Sequence, residues 1–128
     1  MHIVKNIKPE FVDERGGIAK VLDDGKTDIK SIHRITSKKG AVRSNHYHRT
    51  DSHYCYLESG RLEYAEKPVS GGEIQKTILE AGDMVFTPPM TTHTMKFLEN
   101  SVLWAFATKP RNQNDYESDT MRVPTLLP

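Results

Sequence analysis

Turn residues interrupt the chain about every ten positions, and no interval between them carries the 3.6-residue apolar period of an amphipathic helix. Between the interruptions apolar and polar residues alternate, as a half-buried strand requires. Strands are predicted over 1–6, 18–22, 29–36, 41–48, 53–58, 61–66, 73–79, 84–87, 93–98 and 101–108. The punctuation is Glu14-Arg15-Gly16-Gly17, Asp23-Asp24-Gly25, Lys38-Lys39-Gly40, Ser59-Gly60, Ser70-Gly71-Gly72 and Ala81-Gly82-Asp83. Each cluster supplies a glycine for positive φ or an aspartate for a side-chain turn. The pattern predicts an all-β sandwich or barrel. One or two helical turns are expected within 112–120. The last segment, with Leu126, Leu127 and two prolines, reads as a strap on a neighbouring surface or as a frayed end.

A chain of 128 residues is sized for one domain with its own core. Lys and Arg number 18 against 17 Asp and Glu, so no basic face for a nucleic-acid backbone is implied. Apolar runs are too short for a membrane span, and the first residues lack the apolar core of a signal peptide. Cys55 is alone, which excludes an internal disulfide. A cytoplasmic protein that binds neither nucleic acid nor membrane is expected.

Six histidines stand at positions 2, 33, 46, 48, 53 and 93. His46 and His48 are two apart on a predicted strand, so both rings project from one face with Cα atoms about 6–7 Å apart. Two imidazoles at that spacing can grip one metal ion. His53, Cys55 and Leu57 share a face of the next strand, and His93, Met95 and Phe97 share a face of a later one. Four histidines on three strands are thereby positioned to converge inside a barrel.

The run from Gly40 through His46, His48 and His53 to Gly60 resembles the first motif of the cupin superfamily, with His53 in the slot usually held by Glu. Gly82, Pro88 and His93 resemble the second motif, with Met90 replacing its Gly and Phe97 its Asn. The resemblance implies a double-stranded β-helix, or jelly-roll barrel, with a short irregular C-terminal tail. It divides the single domain into N-terminal strands over 1–27, a barrel core over about 28–108 and a tail over 109–128. It also implies one divalent transition metal on His46, His48, His53 and His93. Its identity is open among Zn, Fe, Ni, Co and Mn; an all-imidazole set suits borderline Zn, Fe, Ni, Co or Cu better than hard Mg or Ca. Asp51 is the alternative carboxylate, although it lies two residues from the Glu slot on an expected turn.

The flanks narrow the resemblance. Asp13-Glu14-Arg15-Gly16, Arg43-Ser44-Asn45-His46-Tyr47-His48 and the acidic, Tyr-containing stretch around Tyr116 are similar to nucleotide-sugar cupins. These include dTDP-4-keto-sugar 3,4-ketoisomerases, dTDP-4-dehydrorhamnose 3,5-epimerases and the cupin domain of capsular-polysaccharide epimerases. Ser44 occupies a position where that group commonly has Gly. The implied chemistry is proton abstraction beside a ketone, which needs a base near neutral pKa and a group to hold the enolate. His46 is the implied base; if His46 is committed to metal, His33 and the tyrosines are the candidates for that role.

Two other classes stay open: a non-haem metal dioxygenase or lyase of a small organic substrate, and a non-catalytic small-molecule binder. Aromatic residues make up 8% of the chain and offer no evident platform for stacking a nucleotide base. Tyr47, Tyr54 and Tyr56 alternate away from the histidine face, Cys55 is expected to be a buried inert thiol, and Arg43 points away from the rings unless its strand bulges. The resemblance and the exposed edges of short strands together imply a homodimer.

Overall fold

The structure is a computed structural model that describes residues 1–128. Twelve strands and one short helix follow in order: β1 (His2–Val4), β2 (Phe11–Asp13), β3 (Gly16–Ile18), β4 (Ser31–Ser37), β5 (Val42–His48), β6 (His53–Ser59), β7 (Arg61–Pro68), β8 (Gln75–Glu80), β9 (Met84–Thr87), β10 (Thr91–Phe97), β11 (Ser101–Ala107), α1 (Gln113–Asp119) and β12 (Thr120–Arg122). One five-stranded sheet has the order β1-β9-β6-β11-β4, and the other has the order β12-β5-β10-β7-β8. All pairings are antiparallel. This is the expected all-β jelly-roll barrel, and no helix is long and apolar enough to cross a membrane.

The two sheets meet through the alternation legible in the sequence. Along β11, Ser101, Leu103, Ala105 and Ala107 are buried, while Val102, Trp104 and Phe106 are half-buried. The core joins Cys55, Leu57, Val85, Leu103 and Ala105 of one sheet to Leu62, Tyr64, Leu79, Met95 and Phe97 of the other. Burying each large side chain contributes roughly 1.5–3 kcal/mol. The inward face of β6 reads His53, Cys55, Leu57, and that of β10 reads His93, Met95, Phe97. The apolar residues therefore seal one end of the barrel and leave the imidazoles at the other.

Gly60 makes the tight turn from β6 to β7 at φ 94°, where a Cβ would fall 2.0 Å from Ser101 Oγ. Both the backbone conformation and the space require glycine there. Two replaced motif glycines keep the same left-handed conformation: Ser44 has φ 71° and Met90 has φ 58°.

The N-terminal segment differs from expectation. Its hairpin turn lies at Glu14-Arg15, because the Asp13 carboxylate accepts from Arg15 N at 2.9 Å, and Gly16 and Gly17 become part of β3. The strand predicted over 18–22 ends at Ile18, and residues 19–22 join no ladder. The tail is a strap. Its β12 adds to the edge of β5, Leu126 N donates to Thr94 Oγ1 at 3.1 Å, and Leu127 is buried.

Candidate active site

His46 and His48 project from β5 and His93 from β10, where His93 pairs with His46 across the ladder. All three rings are buried, with centroids 4.6 Å apart for His46–His48, 4.8 Å for His46–His93 and 5.9 Å for His48–His93. Their ligand nitrogens lie within 4.8 Å of one another. His93 Nδ1 is 3.1 Å from the Thr91 carbonyl, which can only accept, so that nitrogen carries the proton and Nε2 keeps its lone pair. His46 Nδ1 and His48 Nε2 are buried without hydrogen-bond partners.

Burial is the main force on these rings. Helped by the neighbouring imidazoles, it pushes His46 down to about 2. It holds His48 at about 4, against the opposing pull of Asp51 and Asp119. His93 falls to about 3 although the Thr91 carbonyl favours its charged form. Near pH 7 the cluster is three neutral imidazoles. A neutral imidazole set with two buried, unpartnered nitrogens is a donor set that fits a borderline divalent cation.

His53 stands beside His48, ring centroids 4.5 Å apart, and its Nε2 is 2.8 Å from Asp51 Oδ2. Asp51 is buried and also accepts from Thr108 N at 3.1 Å and Thr108 Oγ1 at 3.0 Å. Burial alone would raise its pKa, but the hydrogen bonds from His53 and Thr108 outweigh that and keep it lowered. The structure thus makes two groups of potential ligands, His46–His48–His93 and His48–Asp51–His53, which share His48.

A cavity of about 340 Å³ opens over the rings, lined by His33, His46, His53, Cys55 and His93 with Met95, Leu103 and Ala105. Arg34, Arg43, Arg111 and Tyr116 line it as well. His33 lies on β4 opposite Ala105, and burial followed by the charge of Arg111 lowers its pKa. Burial pushes the Cys55 thiol up to about 12, which leaves it protonated and unreactive, as expected. Tyr54 stacks on Phe86 at 4.5 Å, outside the cavity lining.

Arg43 is where strand counting alone misleads. On β10, His93 pairs with His46 but Thr94 pairs with Ser44, so Asn45 is the extra residue of a bulge. Ser44 and Asn45 both take positive φ, and Thr94 Oγ1 donates to Asn45 Oδ1 at 2.8 Å to hold the kink. The bulge turns Arg43 onto the cavity side, where its guanidinium also reaches Ser37 Oγ at 2.8 Å and the Thr36 carbonyl at 3.0 Å.

Arg111 and Tyr116 come from the tail, which strand patterning could not locate. Asn112 caps α1, accepting from Asp115 N at 3.0 Å, a signal legible in the Asn and Asp spaced three apart. The Arg111 guanidinium lies 3.9 Å over the Tyr116 ring, whose centroid is 5.6 Å from that of His48.

Comparison with known proteins agrees with this architecture. The Cupin domain family matches residues 33–106, more than half of the chain. Among solved structures, a 3,4-ketoisomerase from Helicobacter canadensis superposes with TM-score 0.76 at 22% identity, covering 94% of this chain and 88% of its own. A sugar 3,4-ketoisomerase from Thermoanaerobacterium thermosaccharolyticum in complex with TDP gives 0.73 at 20% identity, covering 94% and 88%. The dTDP-4-dehydrorhamnose 3,5-epimerase from Sulfolobus tokodaii gives 0.71 at 23% identity, covering 86% and 70%. No curated protein sequence matches the chain.

Proposed function

This chain belongs to the cupin domain family, and we propose that it is an isomerase or epimerase that moves a proton beside a ketone on a sugar nucleotide or sugar. The observation that carries the reading is the pairing of His53 with buried Asp51 at 2.8 Å on the wall of a cavity rimmed by three arginines. An imidazole held by a carboxylate is fixed in orientation, and the imidazolium formed on taking a proton is stabilised in place. His53 is the base, and Asp51 orients it. His46, expected as the base, is held neutral by burial and suits a hydrogen-bond or ligand role at the oxygen that becomes enolate. We assign to His33 the return of a proton at another carbon. Arg34, Arg43 and Arg111 suit the phosphates of a nucleotide sugar, since guanidinium presents paired donors to phosphate oxygens. The ketoisomerase in complex with TDP supports that substrate class.

A divalent transition metal fits on His46, His48 and His93, and when bound it would polarise the ketone oxygen. The same cluster supports a second reading, metal-dependent oxidation of a small organic substrate. In this proposal the protein is cytoplasmic and a homodimer; what supports the dimer is that Phe11 and Ile18, paired across the β2–β3 hairpin, leave an apolar face more than half exposed.

The test is deuterium wash-in, followed by NMR, at the carbon beside the ketone of a TDP-4-keto-6-deoxy sugar in D₂O. Wild-type protein is expected to incorporate deuterium, and Asp51→Asn to lower kcat about 10²-fold or more with little change in KM. No incorporation with any 4-keto sugar nucleotide would overturn the isomerase reading. Oxygen uptake by the iron-loaded protein would then favour the second.

A further inference from the structure

We propose that Thr120 is a positioning residue that holds His48 in the tautomer with its proton on Nδ1, leaving the Nε2 lone pair free inside the histidine cluster. The chain of reasoning starts at Tyr116. Its backbone carbonyl, which can only accept, lies 2.7 Å from Thr120 Oγ1, so the single hydroxyl proton of Thr120 is committed there. Thr120 Oγ1 also lies 3.2 Å from His48 Nδ1, and with its proton spent it can only accept. His48 Nδ1 must therefore be the N–H.

A neutral imidazole carries one N–H, so His48 Nε2 is bare, and it is the nitrogen that is buried without a partner. Asp119 favours the same tautomer more weakly, since its Oδ2 is 3.8 Å from Nδ1. The carboxylate of Asp119 is already taken by Thr50 N, Thr50 Oγ1 and Asp51 N.

The placement follows from the ladder. Thr120 opens β12 directly opposite His48 on β5, and it is also the C-cap of α1, its N–H bonded to the same Tyr116 carbonyl. One residue thus ends the helix that brings Tyr116 to the cavity and sets which nitrogen of His48 can bind. Either use of the cluster, gripping an ion or accepting a hydrogen bond from substrate, needs that bare nitrogen. The assignment rests on hydrogen-bond geometry alone and not on the reaction proposed above.

The experiment is long-range ¹H–¹⁵N correlation of histidine-labelled protein, chelator-treated and without substrate, at a pH where the ring is neutral. Wild type is expected to show His48 as Nδ1–H, Thr120→Ser to keep that pattern, and Thr120→Val to lose it. Titration with zinc should show about tenfold or weaker binding in Thr120→Val and recovery in Thr120→Ser. An Nε2–H signature in wild type would overturn the proposal, as would an unchanged Nδ1–H pattern in Thr120→Val, which would make Asp119 the determinant. If Thr120→Val does not fold, the wild-type spectrum decides: Nδ1–H supports the assignment and Nε2–H overturns it. Because the tautomer is read without substrate, a failed isomerase assay leaves this result standing.

Discussion

A buried polar atom with no partner costs about 1–3 kcal/mol, and the cluster contains two, His46 Nδ1 and His48 Nε2. Such a cost is tolerated where the atom serves a ligand. His48→Ala is therefore expected to lose most bound zinc while far-UV circular dichroism and the thermal midpoint stay close to wild type. Full metal occupancy in that variant would remove His48 from the ligand set. At this scale much of the site was legible: His46 and His48 share a face because they are two apart, and His93 was placed by its spacing from Gly82 and Pro88. The Asp51–His53 pair was not. Asp51 sits on a turn, and only the fold brings the amide and hydroxyl of Thr108 beside its carboxylate.

Strands with regular alternation were readable, and elements built by side-chain capping or by tertiary pairing were not. The β2–β3 hairpin turns one step earlier than its glycines suggest because of Asp13, and the three residues of β12 exist only as an addition to β5. Capping also anchors β1. Asp83, in the turn before β9, accepts from Lys5 Nζ, and its carboxylate accepts from Glu80 N and Asn6 N at 2.7 Å each. Burial works to raise the Asp83 pKa, yet the Lys5 hydrogen bond and the two backbone N–H groups outweigh it and hold it below the usual carboxylate value. A folded-state pKa below the unfolded one stabilises the fold above about pH 4, and that stability disappears as pH falls through the folded value. Urea midpoints measured between pH 5 and 2 should fall steeply in wild type and less steeply in Asp83→Asn. Equal slopes would show that Asp83 does not couple β1 to acid stability.

For the whole molecule, the apolar face that Phe11 and Ile18 form on the β2–β3 hairpin and the open edge of β1 suit the proposed dimer. Light scattering is expected to report twice 14.6 kDa, and Phe11→Glu to shift the particle toward a single chain. A wild-type particle of 14.6 kDa would end the dimer proposal. The bulge in β5 also makes the molecule unequally tolerant of changes in length. Upstream of Ser44–Asn45, Ala41 packs on the core and Arg43 lines the cavity; downstream, His46 and His48 form the cluster. These two halves of one strand keep step only because one residue is extra. Losing a single codon there would invert one half against the other, exchanging Arg43 and Ala41 for their outward neighbours. The exposed turn at Gly71-Gly72, with open space around both residues, could gain or lose a codon without moving any side chain of the site. Natural length variation in chains of this type should therefore collect at such turns and spare the kink.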